Sequence, residues 1–179
     1  MNKQININRV DGKVVFEFVS VTQNDSVFWT NNDPQAAHWP VWKMSLNQLG
    51  AAPSPNSSFC PAYPQAVPVT MVYGCALHDD EQGKFDVYAP FAPGPAPGPA
   101  KVGTAYTTNI ATGGMSSYTV GQVAGQLPPG LSLAGTPNNK GITLSGTPTQ
   151  AGKFTFTLVQ ASDNLQNVIS QAPFTVTVS

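Results

Sequence analysis

Four side chains in this sequence could bind a transition metal or act as nucleophiles: His38, His78, Cys60 and Cys75. The 179 residues include only two His and two Cys, so any imidazole or thiolate chemistry must use these four. Two Cys are too few for a multi-disulfide scaffold or a four-cysteine zinc site. One thiolate and two imidazoles suit a copper ion that changes between Cu(I) and Cu(II), with a weak axial donor as fourth ligand.

The spacing of three of these residues is compatible with one metal site. Cys75 and His78 are three residues apart at the end of a predicted strand, so a tight loop could present both side chains together. His38 lies well upstream, where a neighbouring strand-end loop could supply it. A single Cys-x-x-His is more often a core cysteine beside a surface histidine, so the prediction of a copper site depends on the combination of all three.

The elements that must position these residues are predicted to be β-strands. Charged residues make up 9% of the chain, against roughly 25% in a typical soluble domain, and it contains 16 Gly and 17 Pro. This composition is typical of an all-β protein. Alternating and β-branched runs predict strands at 13–22, 25–30, 67–75, 84–88, 104–110, 117–123, 131–133, 141–145, 153–161 and 173–178. Residues 43–66 are predicted to be irregular, with a short helix near 45–49.

A Pro-rich segment divides the chain and predicts two domains. Residues 90–101 alternate Pro with Gly and Ala, which favours an extended, semi-rigid linker between domains at 1–89 and 102–179. All three Trp, both His and both Cys precede this segment. Residues 1–90 contain five basic and eight acidic residues, whereas residues 91–179 contain three basic and one acidic residue. Any metal chemistry therefore belongs to the first domain.

Residues 10–90 resemble the cupredoxin family of type 1 blue copper proteins. The resemblance lies in NDSVFWTNN at 24–32, in the Cys-x-x-His of Cys75 and His78, and in the closing strand GKFDVY at 83–88. It implies a Greek-key β-sandwich in which His38, Cys75 and His78 are the equatorial ligands of one copper ion. It also implies electron transfer through the edge of His78.

The family's usual axial Met is missing from the loop after His78. Gln82, four residues after that His, has the spacing at which cupredoxins place the Met, and we take it as the axial ligand. Glu81 and the carbonyl of Ala37 are alternative oxygen donors. An oxygen donor should stabilise Cu(II) relative to a thioether, because oxygen is the harder ligand. A disulfide between Cys60 and Cys75 would remove the thiolate, and we expect Cys60 to be a free thiol.

The second half resembles the Ig-like domains of bacterial surface and exported proteins. The resemblance covers residues 102–179 and depends on LPPGLSL at 127–133 and SGTPTQAGKFTF at 145–156. It implies a second β-sandwich with a spacer, adhesion or docking role. The fold class expected for the whole chain is therefore all-β, a cupredoxin-like Greek-key sandwich joined by a Pro-rich linker to an Ig-like sandwich.

The sequence predicts a copper-binding electron-transfer protein and no enzyme activity. The alternatives are copper storage, delivery or sensing without electron transfer, and a metal-free structural or adhesion protein. The acidic run at 79–81 could steer a redox partner with a basic docking surface. The sequence does not indicate an oligomeric state.

Charge and hydropathy exclude some classes of partner and predict a cellular location. A formal net charge of −1 argues against nucleic acid, and no apolar run approaches the roughly 18 residues of a membrane span. The first twelve residues lack the apolar core of a secretory signal, yet the low charge is common in exported β proteins. We expect a mature periplasmic or extracellular protein to which Met1 was added.

Overall fold

The computed structural model describes residues 2–42, 58–59 and 67–179, with the backbone alone at residues 42, 58 and 59. Within these residues the protein is all-β, as the composition predicts. The strands are β1 (Asn2–Val10), β2 (Lys13–Phe16), β3 (Val19–Thr22), β4 (Ser26–Asn31), β5 (Pro40–Trp42), β6 (Ser58–Phe59), β7 (Val69–Cys75), β8 (Gln82–Tyr88), β9 (Ala92–Pro93), β10 (Tyr106–Thr112), β11 (Thr119–Gly125), β12 (Leu131–Thr136), β13 (Gly141–Gly146), β14 (Gly152–Ser162) and β15 (Val168–Val178).

The first of two compact units, Met1–Tyr88, contains two four-stranded sheets. Their strand orders are β2-β1-β4-β6 and β3-β8-β7-β5. Parallel pairs, β1 with β4 and β3 with β8, join strands distant in sequence. Alternate residues face inward from both sheets, as expected of strands with one buried face. The core they form contains Ile5, Ile7, Val21, Val27, Trp29, Tyr73, Phe85 and Val87.

Strand β1 was not predicted from the sequence. Its residues Asn2–Val10 carry mostly Asn, Gln and Lys, which are uncommon in strands. Ile5 and Ile7 alternate with these polar residues and are fully buried, so two side chains on one face are enough to hold the strand in the sheet. The predicted strand at 13–22 is divided between β2 and β3, which belong to different sheets.

The β7–β8 hairpin is the element that leads into the candidate site. Its register pairs Tyr73 with Gly83 and Gly74 with Gln82. A Cβ at Gly83 would overlap the ring of Tyr73, so only glycine allows this buried ring to lie across the neighbouring strand. The Tyr73 ring also makes edge contacts with Phe16 and Trp29, at centroid distances of 5.5 and 5.4 Å.

The second unit, Ala89–Ser179, is an Ig-like sandwich with sheet orders β12-β13-β10-β9 and β11-β14-β15. Strict alternation in β14 places Phe154, Phe156 and Leu158 in its core. On the partner strand β15, Phe174 stacks on Phe156 at a centroid distance of 5.6 Å. The alternating patterns seen in the sequence therefore mark the inner face of the sheet.

The Pro-rich segment at 90–101 lies within this second unit. Phe91 is buried in the core, and β9 pairs with β10. The non-proline residues of the segment bond to the sheets through their backbone N–H groups: Gly94 donates to the carbonyl of Ile110 at 2.7 Å and Ala100 to that of Thr177 at 2.9 Å. The segment therefore forms an edge of the unit, where the sequence suggested an extended spacer.

Two further expectations concern helices. The short helix near 45–49 lies in a part of the chain that the structure does not describe. In the part that it does describe, no helix has the length and apolar character needed to cross a membrane.

Candidate metal centre

Strand pairing brings His38 beside Cys75. Cys75 is the last residue of β7 and pairs with Pro40 at the start of β5, so the residues just before β5 lie next to the thiol. Two hydrogen bonds fix this contact, from the Trp39 N–H to Cys75 Sγ at 3.3 Å and from the Ala76 N–H to the Trp39 carbonyl at 2.8 Å. His38, one residue before Trp39, is thereby held against the end of β7.

A tight loop after Cys75 returns the chain to the same point. The Glu81 N–H donates to the carbonyl of His78 at 3.2 Å, and the Cys75 N–H donates to the carbonyl of Glu81 at 3.3 Å. These bonds close the connection between β7 and β8. Cys75, His78 and Glu81 consequently present their side chains on one side of the loop.

Four donor atoms converge in this place. Sγ of Cys75 lies 3.4 Å from Nδ1 of His78 and 4.0 Å from Nδ1 of His38. Oε2 of Glu81 lies 2.8 Å from Nδ1 of His38 and 3.2 Å from Nδ1 of His78. All four ligand atoms lie within 4.8 Å of one another. The structure thus groups His38, Cys75 and His78, the three residues singled out from the sequence, and adds Glu81.

Gln82, the expected axial ligand, is not brought into this group. It is the first residue of β8, where Gly83, Phe85 and Val87 alternate on the buried face, so its side chain belongs to the exposed face. There it borders a shallow pocket of about 300 Å³ with Phe18, Val72 and Lys84 among its lining residues. Because β8 begins at Gln82, this residue belongs to the strand and not to the loop that carries His78 and Glu81. Glu81, weighed as an alternative, takes that place, and the carbonyl of Ala37 stays an untested alternative.

Solvent reaches the four residues unequally. His38 and Cys75 are buried, whereas the His78 side chain is 36% exposed and that of Glu81 13% exposed. The two imidazole rings are inclined to one another with centroids 5.1 Å apart. The donor group is therefore buried on the side of His38 and Cys75 and open to water along the edge of His78.

The donor set fits a copper ion. A thiolate and two imidazoles are the equatorial set of a one-electron copper centre, and a carboxylate is a fourth, harder donor. The same four donors also satisfy the tetrahedral preference of Zn²⁺. The backbone N–H of Trp39 donates to Cys75 Sγ and would tune the donation of this sulfur to a bound metal.

An ion pair between Asp33 and Arg9 contacts His38 on the side of the ring opposite the donor group. Nε2 of His38 contacts Oδ2 of Asp33 at 2.9 Å, and neither side chain is exposed. Arg9, near the end of β1, donates to both oxygens of Asp33, from Nε at 3.0 Å and from Nη2 at 2.7 Å. The hydrogen bonds from Arg9, assisted by the N–H of Gln35 and by His38, hold the pKa of Asp33 well below its usual range. Asp33 is therefore a carboxylate.

Asp33 and Arg9 were not predicted from the sequence. The only local signal is the turn-forming run NNDP at 31–34, in which Asp33, five residues before His38, is an ordinary turn residue. The partner Arg9 comes from β1, which was not predicted as a strand. Pairing these two residues required the tertiary structure.

Cys75 is free in the described part of the chain. Cys60, which could have removed the thiolate by forming a disulfide, lies outside the described residues. Its expected state as a free thiol stays a prediction.

Comparison with protein families identifies the second unit. The family model described as "Putative Ig domain" (He_PIG) matches residues 89–179, about half of the chain. The match includes the Pro-rich segment together with the sandwich, in agreement with the structural unit that begins at Ala89. No curated protein matches the sequence.

Three solved structures show a distant likeness to this chain. An endo-fucoidan hydrolase from glycoside hydrolase family 107 is 19% identical with a TM-score of 0.32, over 69% of this chain and 20% of that one. A blue copper oxidase from Nitrosomonas europaea is 10% identical with a TM-score of 0.29, over 99% and 85%. SGBP-B of a Bacteroides ovatus mixed-linkage glucan utilization locus, in complex with a mixed-linkage heptasaccharide, is 15% identical with a TM-score of 0.29, over 97% and 46%. The chain thus spans a fifth of the first structure's length and under half of the third's.

Proposed function

We propose that this chain, which belongs to the putative Ig domain family through residues 89–179, binds one copper ion in its first unit and transfers electrons. The copper ligands in this proposal are His38, Cys75 and His78, with Glu81 as the fourth donor. One observation carries it: a thiol sulfur and the Nδ1 atoms of two imidazoles converge within 4.8 Å at the end of one hairpin. The resemblance of residues 10–90 to cupredoxins supports the same assignment.

The fixed positions of the ligands favour electron transfer. Strand pairing holds His38 and Cys75, and backbone hydrogen bonds hold the loop of His78 and Glu81. A copper ion held by such a frame changes oxidation state with little movement of its ligands, which keeps the reorganisation small. No substrate turnover is proposed.

The exposed edge of His78 is the proposed exit for electrons. Asp79 and Asp80 follow it directly and are exposed, as is Leu77 before it. Negative charges beside the exit would steer a redox partner with a basic docking surface at low ionic strength. The periplasmic or extracellular location expected from the composition belongs to this proposal, with the Ig-like unit as a spacer or docking module.

Copper storage or delivery without electron transfer is the second candidate, and Glu81 is the observation that favours it. A carboxylate is a harder and stronger donor than the usual thioether, so it stabilises Cu(II) against reduction. A site of this kind would retain Cu(II) and resist redox cycling. The two candidates therefore differ in reversibility and not in ligands.

A titration of the 179-residue protein with Cu(II), followed by visible absorption and then by redox cycling, tests the proposal. We expect one equivalent to bind, an intense thiolate-to-copper band, and reversible loss and recovery of that band on reduction and reoxidation. Cys75→Ser is the matched control and should lose the band. An intense band that cannot be reversibly reduced would favour storage, and no copper uptake would support a metal-free structural protein.

A further inference from the structure

A charged contact behind His38 has no role in binding the metal directly. Asp33 and Arg9 lie on the side of the imidazole opposite the donor group, because Nε2 faces Asp33 while Nδ1 faces Cys75 and Glu81. The carboxylate of Asp33 and the guanidinium of Arg9 form a bidentate ion pair. Asp33 itself is buried, with no exposed side-chain surface.

We propose that the Asp33–Arg9 pair is a positioning device that makes His38 a ligand through Nδ1 alone. The inference rests on the proposed function of the site. An imidazole binds a metal through the nitrogen that carries no proton, and the hydrogen bond made by the other nitrogen decides which one that is. Asp33 accepts the proton of Nε2 and so leaves Nδ1 for the metal.

The surrounding loop is built to keep Asp33 in this position. The N–H of Asp33 donates to the side-chain oxygen of Asn31 at 2.9 Å, and the N–H of Gln35 donates to Oδ1 of Asp33 at 2.9 Å. The amide nitrogen of Asn31 donates to the carbonyl of Ala36 at 2.8 Å. The carboxylate therefore meets His38 in one orientation, set by the loop from one side and by Arg9 from the other.

Arg9 links this device to the opposite sheet. It is the ninth residue of the chain, on β1 of the sheet β2-β1-β4-β6, whereas Cys75 ends a strand of the other sheet. Its guanidinium also donates to the carbonyl of Gly12 at 2.9 Å. The pair is thus a contact through which the first sheet orients a ligand that lies beside the end of β7 in the second sheet.

The charges of the pair predict opposite effects on the reduction potential. Removing the carboxylate leaves Arg9 as a positive charge near the metal, which favours Cu(I) and raises the potential. Removing the guanidinium leaves Asp33 as a negative charge and lowers it. A merely structural role would alter stability in both variants without this difference in sign.

Metal affinity and imidazole NMR of the full chain test the proposal, with Cu²⁺ and diamagnetic Zn²⁺ as probes. For Asp33→Ala we expect a 10- to 100-fold loss of affinity, the usual effect of removing such a partner, and loss of the slowly exchanging Nε2–H signal of His38 in the Zn²⁺ form. Asp33→Asn, which keeps an acceptor oxygen, should recover part of both. Glu17→Gln, which removes an exposed carboxylate bonded to Asn6, is the matched control and should behave as wild type.

The outcomes separate this inference from the proposed function. Equal metal affinity and an unchanged Nε2–H signal in Asp33→Ala would overturn the positioning role while leaving the copper site intact. If Asp33→Ala does not fold, Arg9→Met decides, since a wild-type potential and affinity in that variant would also overturn it. A wild-type chain that takes up neither metal would refute the proposed function, and the inference with it.

Discussion

Glu81 is the residue at which this site departs most from a cupredoxin pattern, and its replacement by Gln makes a sharp prediction. The variant keeps the size of the side chain and an oxygen donor but removes one negative charge from the group of donors. Loss of that charge destabilises Cu(II) more than Cu(I), so the reduction potential should rise. The loop should persist, because its closing hydrogen bonds use the backbone of Glu81.

The size of the rise follows from Coulomb's law. A carboxylate that contacts both imidazoles at 2.8 and 3.2 Å lies within a few ångströms of any metal they share. Taken at about 4 Å and an effective dielectric constant of about 20, one unit charge is worth ~4 kcal/mol. For one electron, with about 59 mV for each tenfold change, this corresponds to ~170 mV. Glu81 is 13% exposed, and screening by water reduces the expected rise to roughly 100 mV.

Spectroelectrochemical titration of the copper-loaded wild type and Glu81→Gln measures this rise. Asp80→Asn is the matched control, because it removes an exposed carboxylate one residue away that is not among the four donors. The control should shift the potential by much less, since water and salt screen exposed charges. Equal potentials and equal spectra in Glu81→Gln and Asp80→Asn would refute the assignment of Glu81 as the fourth donor.

Three further variants test the packing inside each of the two units. Gly83→Ala should lower the free energy of unfolding by about 1–3 kcal/mol in denaturant titrations, because its Cβ would overlap the Tyr73 ring; unchanged stability would contradict the close approach. Phe156→Ala should destabilise the second unit by about 3–5 kcal/mol in the same assay, and a loss under 1 kcal/mol would argue against its place in the core. Burial raises the pKa of Tyr118, so its contribution is complete below pH ~10 and is lost as the pH rises beyond that value. Tyr118→Phe should lose about 1 kcal/mol with the hydrogen bond to Gly113 and show a weaker alkaline loss of stability, and an identical alkaline profile would refute the cause.

His38, Cys75 and His78 could be predicted to meet because each lies at or next to the end of a strand. Cys75 ends β7, His78 follows in the loop, and His38 precedes β5, which pairs with β7. Their chemistry restricts the choice strongly, since the chain contains only two His. A pattern of side-chain types was sufficient here because no competing imidazole exists.

The fourth donor could not be chosen from spacing. Glu81 and Gln82 are neighbours, and which one faces the site depends on the residue at which β8 begins. The register with β7 places Gln82 opposite Gly74 and so assigns it to the exposed face. A shift of one residue exchanges the faces of a strand, and the sequence of the loop does not fix that shift.

The contacts of the Pro-rich segment and of Arg9 depend on partners far away in sequence. Composition alone describes residues 90–101 as an extended chain, and the edge of the sheet at β10 is what pairs with β9. Likewise Asp33 is an ordinary turn residue until β1 brings Arg9 to it. In both cases the local sequence predicted the backbone conformation but not the distant residues that pair with it.

X-ray absorption at the copper edge of the copper-loaded protein, with both units present, is the most direct test of the central claim, that one copper ion is bound by Cys75, His38 and His78. The account predicts one sulfur and two imidazole nitrogens in the first coordination shell, with an additional oxygen from Glu81. The sulfur should disappear in Cys75→Ser. A first shell of oxygen and nitrogen alone in the wild type would contradict the account.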